Sequence, residues 1–256
     1  MMMTEYQIYF IIVYTFFGLA ILTFVSLLFI PAPYGRHART GWGPLIPNKP
    51  AWVIMEAPAS LLFLLYFLTA DRTLTLPLIV FFAIWQIHYV HRSFIFPFML
   101  KSDETVPLSI MAFSMIFNAV NTYIQGRWLY RFSPDSSYTD AWLADPRFII
   151  GAMIFAAGFI INKHADSILR SLWNRGRPGY KIPYGGMSRF ISCPNYFGEI
   201  VTWAGWAVMT WSAAGLFFLV WTAANLVPRA RKHHTWYRET FPLYPKERKA
   251  IIPFLF

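Results

Sequence analysis

Long apolar stretches alternate with short polar segments that carry most of the charge. Residues 8–30, 51–69, 74–100, 106–124 and 147–162 each read as a transmembrane helix, for which about 20 apolar residues suffice. A further tract, 197–227, is too long for one upright span. At about 1.5 Å per residue it would reach about 46 Å, against a hydrocarbon core of ~30 Å, so it is either strongly tilted or a hairpin of two helices.

Charge selects the hairpin. With a turn near "TWSAAG", residues 210–215, only Arg72, Arg127, Arg131 and Arg147 lie on one side of the membrane, and Arg92 lies within a span. Every other Lys and Arg falls on the opposite side, as cytosolic loops require. A six-helix chain would instead put the basic 163–189 loop and the basic tail on opposite faces. The expectation is an all-α, polytopic bundle of seven transmembrane helices, N-terminus outside and C-terminus cytosolic. The segment "WNRGRPGYKIPYGGMSRF", 173–190, reads as an ordered cytosolic loop.

Composition agrees: 57% of residues are apolar, 20% aromatic and only 13% charged, with positive mean hydropathy. That leaves no room for a separate soluble domain, so residues 1–256 are expected to form one integral membrane domain. The net charge of +10 has no basic block interleaved with aromatics outside the apolar framework, which argues against a nucleic-acid partner. A single cysteine, Cys193, excludes an intramolecular disulfide and a cysteine-rich metal site. The start, "MMMTEYQ", has no Lys or Arg before the first apolar run and no cleavage site, and reads as leading into a first transmembrane helix.

Against that background a few polar residues stand out, since an ionisable group at mid-helix costs about 2.5–3.5 kcal/mol on insertion scales. These are Glu56, His88, His91, Arg92 and Glu199, joined by Tyr89, Asn162, Asp166 and Asn195. Their positions relative to the basic loops crowd them into the cytosolic half. On a regular helix His88, Tyr89, His91 and Arg92 share an arc of about 160°, so one face looks into either a polar cavity or a hydrogen-bonded bundle interior. Trp52 precedes Glu56 by one turn, an aromatic wall beside an acid, although Trp at a membrane interface is common. Asp166 and Arg170 are spaced for an i, i+4 pair at a helix end. If "RARKHHTWY" is helical, Arg229, His233 and Tyr237 share one stripe, able to clasp a phosphate or to face anionic lipid. No metal site is expected: His88 and His91 lack the further ligands a tetrahedral shell needs. Neither a Gly-rich dinucleotide turn after a strand nor a P-loop is present, so any nucleotide must be held by the membrane bundle itself.

Taken in order, "MEAPAS", "HYVHRSF", "INKHADSILR", "YKIPYGG", "CPNYFGEI" and "YPKERKAIIPFLF" resemble the steroid 5-alpha-reductase family, the 3-oxo-5-alpha-steroid 4-dehydrogenases. The resemblance runs from Tyr34 to Phe256. It implies an integral membrane oxidoreductase of lipid and steroid metabolism that uses NADPH to reduce the 4,5 double bond of a 3-oxo-4-ene steroid or similar enone lipid. By that likeness Glu56 and Tyr89 sit at the substrate carbonyl, with Trp52 in the substrate pocket. Cofactor-binding positions carry over to Asn162, Asp166, Tyr180, Asn195, Glu199, Arg229, His233 and Tyr237, with Arg36, Arg92 and Trp203 as weaker matches. The chain departs from the family pattern at "SLWNRGRPG", where Arg175 substitutes, and Lys101 stands in a less well-matched loop.

The implied chemistry suits the residues: addition at the beta carbon of an enone builds negative charge on the carbonyl oxygen, and a preorganised donor such as Tyr89 lowers the barrier. Glu56 would either orient Tyr89 or, if protonated in a dry pocket, donate a second hydrogen bond. The site is expected to open to the cytosolic side of a bacterial inner membrane or the endoplasmic reticulum, with membrane lipid around it and no obligatory protein partner. Two rivals remain: a membrane methyltransferase using S-adenosylmethionine on lipid or prenylated substrates, since such enzymes carry versions of N-Y-F-G-E, and a proton-coupled transporter relaying through Glu56, His88, His91 and Glu199.

Overall fold

Every long apolar stretch folds as helix in the computed structural model, which describes residues 3–30, 41–101, 104–173 and 179–256. Helix α1 is Glu5–Phe29, α2 Asn48–Leu68, α3 Leu76–Val90, α4 Phe96–Met99, α5 Leu108–Arg127, α6 Pro146–Leu172, α7 Pro194–Thr210 and α8 Ala213–Thr240. A π-helical turn, His91–Ile95, joins α3 to α4, and another, Trp128–Phe132, extends α5. Two short strands, β1 (Leu45–Pro47) and β2 (Thr105–Pro107), pair antiparallel with Ile46 opposite Val106, and each runs directly into a helix, α2 or α5.

Among the described residues, five helical stretches are long and apolar enough to cross a bilayer: α1, α2, Leu76–Met99, α6 and α8. The protein is therefore a predominantly helical, multi-pass membrane protein. Helices α5 and α7 are shorter or more polar. Helix α5 carries buried Asn118, Asn121, Thr122 and Gln125, and α7 carries Glu199 and Thr202.

Local chemistry sets the helix ends. Asp145, immediately before α6, accepts the Arg147 backbone N–H at 2.8 Å, and Pro146 takes the first helical position, where its missing N–H costs nothing. The Arg147 guanidinium beside it, then that backbone N–H, hold the Asp145 carboxyl down at about 2. The long 197–227 tract breaks in two: α7 stops at Trp211, whose φ is +44°, and Ser212 Oγ accepts the Gly215 N–H at 3.0 Å to start α8. Two local readings are corrected. Helix α6 runs on to Leu172, so Asp166 lies inside it rather than just past its end. The π turn also interrupts the regular 100° progression at His91, so His88 and Tyr89 on α3 do not share one ideal helical arc with His91 and Arg92.

The chain divides into two compact units. One comprises α1 through Tyr14 and the chain from β1 to Phe148. Its centre is aromatic: Phe63 stacks on Trp85 at 4.5 Å, and Trp85 Nε1 donates to the Ala59 carbonyl at 2.8 Å. The other contains Thr15 onward in α1 and Ile149–Phe256. There Trp203 packs on Phe218 at 4.0 Å, and α6 and α7 meet backbone to backbone, since a Cβ at Gly198 would lie 2.5 Å from the Asn162 amide N. The C-terminal tail folds back in the same unit. Ile191 bridges Lys249 in parallel, and buried Arg248 donates to the Pro183 carbonyl at 2.9 Å.

Candidate active site

In the first unit the sequence-selected residues gather around one carboxylate. Glu56, on α2, is only 6% exposed. Its Oε1 accepts from Arg92 Nε at 3.1 Å and its Oε2 from Asn118 Nδ2 at 3.2 Å. The Arg92 guanidinium lies over the Trp52 ring at 5.1 Å, which joins Trp52, Glu56 and Arg92 in one cluster. Arg92 reaches it from the π turn, a local geometry common at functional sites. Tyr89, one turn earlier, is 2% exposed and packs on Trp85 at 4.7 Å and His88 at 5.0 Å. Lys101 is exposed beyond α4.

In the second unit the close α6–α7 contact sets up a polar network. Asn162 Nδ2 donates to the Asn195 carbonyl at 2.9 Å and to Glu199 Oε2 at 3.1 Å. Trp203 Nε1 donates to Glu199 Oε1 at 2.9 Å, and Asn195 Nδ2 to Asp166 Oδ1 at 3.3 Å. Five expected residues thus form one connected set. The basic stripe on α8 is helical and faces the first turn of α7: Arg229 donates to the Tyr196 hydroxyl at 3.1 Å, and His233 Nε2 lies 3.2 Å from the same oxygen. Tyr237 stacks on Tyr244 at 5.2 Å, and Tyr180 meets Trp236 edge to face at 5.1 Å. Burial pushes the Tyr244 phenol above its ordinary value. Arg36 and Arg175 lie outside the described residues.

Sequence reasoning missed two of these partners. Asn118 sits on α5 with Asn121, Thr122 and Gln125 at i, i+3, i+4 and i+7, a polar stripe in an apolar span that could have revealed it. Tyr196 lies inside "CPNYFGEI", but nothing in its spacing points to Arg229 and His233.

Comparisons with known proteins identify the family. Residues 104–256, more than half of the chain, match the family model described as 3-oxo-5-alpha-steroid 4-dehydrogenase. The chain is 44% identical over 241 residues to the steroid 5-alpha-reductase DET2 of Arabidopsis thaliana, an alignment covering 91% of each chain. It is 40% identical over 242 residues to 3-oxo-5-alpha-steroid 4-dehydrogenase 1 of Bos taurus, covering 93% of each. The human protein of that name is 41% identical over 225 residues, covering 87% of this chain and 86% of its own. By a family model spanning over half its length and relatives near 40% identity along most of it, the chain belongs to the steroid 5-alpha-reductases, a family of oxidoreductases.

Proposed function

We propose that the protein reduces the 4,5 double bond of a 3-oxo-4-ene steroid, or of a similar enone lipid, with NADPH as reductant. The observation that carries this reading is the buried Glu56 carboxylate, held between Arg92 and Asn118 one helical turn from Trp52, in a chain whose relatives are named for the 3-oxo steroid. Tyr89 donates its hydroxyl proton in a hydrogen bond to the carbonyl oxygen, where negative charge grows as the beta carbon is reduced. Glu56 orients the polar end of the substrate, and Trp52 gives its flat apolar body a wall.

NADPH, when bound, supplies the hydride. The second unit's polar set fits such a cofactor. Asn162 Oδ1 is buried and has no hydrogen-bond partner among the described residues, an acceptor suited to a carboxamide N–H. Arg229 and His233, side by side on one α8 face, suit phosphate oxygens. Asp166, Tyr180, Asn195, Glu199, Trp203 and Tyr237 complete the proposed cofactor set, with Arg92 and Lys101 as the additional basic groups.

In the membrane, we propose one integral reductase domain of seven spans, with the N-terminus outside and the C-terminus and active-site opening cytosolic. The charge bias of the loops supports this orientation. The host membrane is a bacterial inner membrane or the endoplasmic reticulum.

The decisive experiment is anaerobic incubation of the purified protein in lipid with NADPH or NADH and a panel of 3-oxo-4-ene steroids and other enones. The expected result is loss of reduced-nicotinamide absorbance together with a saturated ketone by mass spectrometry. No reduction of any enone by either cofactor, or methyl transfer from S-adenosylmethionine in a parallel incubation, would overturn the reading.

A further inference from the structure

The Asn118 side chain is buried and grips two acceptors on one turn of α2. Its Nδ2 lies 2.7 Å from the Met55 carbonyl and 3.2 Å from Glu56 Oε2. A primary amide has two N–H groups, and this geometry uses both on neighbouring residues. One anchor is backbone, which cannot rotate away. The other is the carboxylate, whose second oxygen is already engaged by Arg92 Nε at 3.1 Å. Glu56 is therefore held from two directions, by α5 and by the π turn, and each of its oxygens accepts a hydrogen bond.

We infer that Asn118 is a positioning residue of the carbonyl site, one that holds Glu56 as a hydrogen-bond acceptor and leaves donation to the substrate carbonyl to Tyr89. This rests on the proposed placement of Glu56 and Tyr89 at that carbonyl. The physical reason is the state of the carboxylate. To donate, Glu56 would have to carry a proton on an oxygen that already accepts an N–H, and its bonds to Arg92 and Asn118 would lose their carboxylate charge inside a buried site. Asn118 makes that exchange unfavourable and also stops the carboxylate from turning about its terminal bond.

Two measurements test it. In the anaerobic enone assay, Asn118→Leu, similar in volume but without N–H groups, is expected to lower kcat about tenfold or more, the effect of losing one hydrogen bond to a charged group. NADPH affinity, read directly by nicotinamide fluorescence, is expected to stay at the wild-type value. Unchanged kcat, or an equal loss of kcat and NADPH affinity, would overturn the inference. The second measurement needs no Asn118 variant and no turnover: infrared difference spectroscopy of the wild type against Glu56→Gln at neutral pH. The expected result is loss of carboxylate bands only. A protonated-carboxyl band that disappears in Glu56→Gln would show Glu56 to be a donor and end the proposal. Failure of enone reduction by the wild type would instead count against the proposed function, while the infrared result would still report on Glu56.

Discussion

At the scale of single residues, the proposed chemistry rests on two buried side chains, the Glu56 carboxylate and the Tyr89 phenol. Tyr89 is almost fully buried and packs on Trp85 and His88, a setting in which the proposed hydrogen bond from its hydroxyl to a developing oxyanion would count for more than in water. Tyr89→Phe keeps the ring packing and removes only the donor. It is expected to lower kcat by roughly 10² to 10³ with NADPH affinity unchanged; steady-state turnover near the wild type would remove Tyr89 from the mechanism. Arg229 is the corresponding residue of the proposed cofactor set. It lies over the Tyr196 ring at 5.2 Å and donates to its hydroxyl, which holds the guanidinium in a defined orientation. If that fork reads the phosphate that distinguishes the two cofactors, Arg229→Ala will weaken NADPH far more than NADH in direct binding titrations. Equal weakening would reassign Arg229 to packing against α7.

Among elements, the α6–α7 pair and the π turn decide where the side chains go. Gly198 allows α7 to approach α6 so closely that Asn162 reaches both the Asn195 carbonyl and Glu199. Small residues serve this purpose between membrane helices, where close backbone packing replaces the hydrophobic driving force. Gly198→Ala forces a methyl group against the Asn162 backbone and is expected to cost about 1–3 kcal/mol of overpacking. A lowered melting temperature in detergent, with weakened NADPH binding, is the predicted outcome. Gly18→Ala on α1 is the control: a methyl there meets nothing within 4 Å and is expected to leave both unchanged or slightly raise stability. The π turn at His91–Ile95 is the second device. One extra residue in the turn rotates the helix beyond it, and from that turn Arg92 reaches both Glu56 and the Trp52 ring.

For the whole molecule, the orientation of the chain is the property most directly open to test. Reporter fusions placed after Phe256 and in the Tyr138–Asp145 loop should report cytosol and exterior respectively; both on one side would overturn the seven-span topology. Much of the architecture was legible from the chain because membrane insertion reads local composition. Each apolar stretch became helix, although α6 runs ten residues past its expected end, and the break at Trp211–Ser212 fell within the tract that was too long to cross once. The family was legible from a handful of ordered motifs. What the linear chain left open was pairing. Asn118 and Glu56 are 62 residues apart, and Tyr196 and His233 are 37 apart. No local rule connects residues at such distances. Composition determined that the chain forms membrane helices and that a few polar groups must be buried among them. Helix packing decided which of those groups share a proton or a charge, because an amide or carboxylate inside a bundle must find its partner on whichever neighbouring helix comes within about 3 Å.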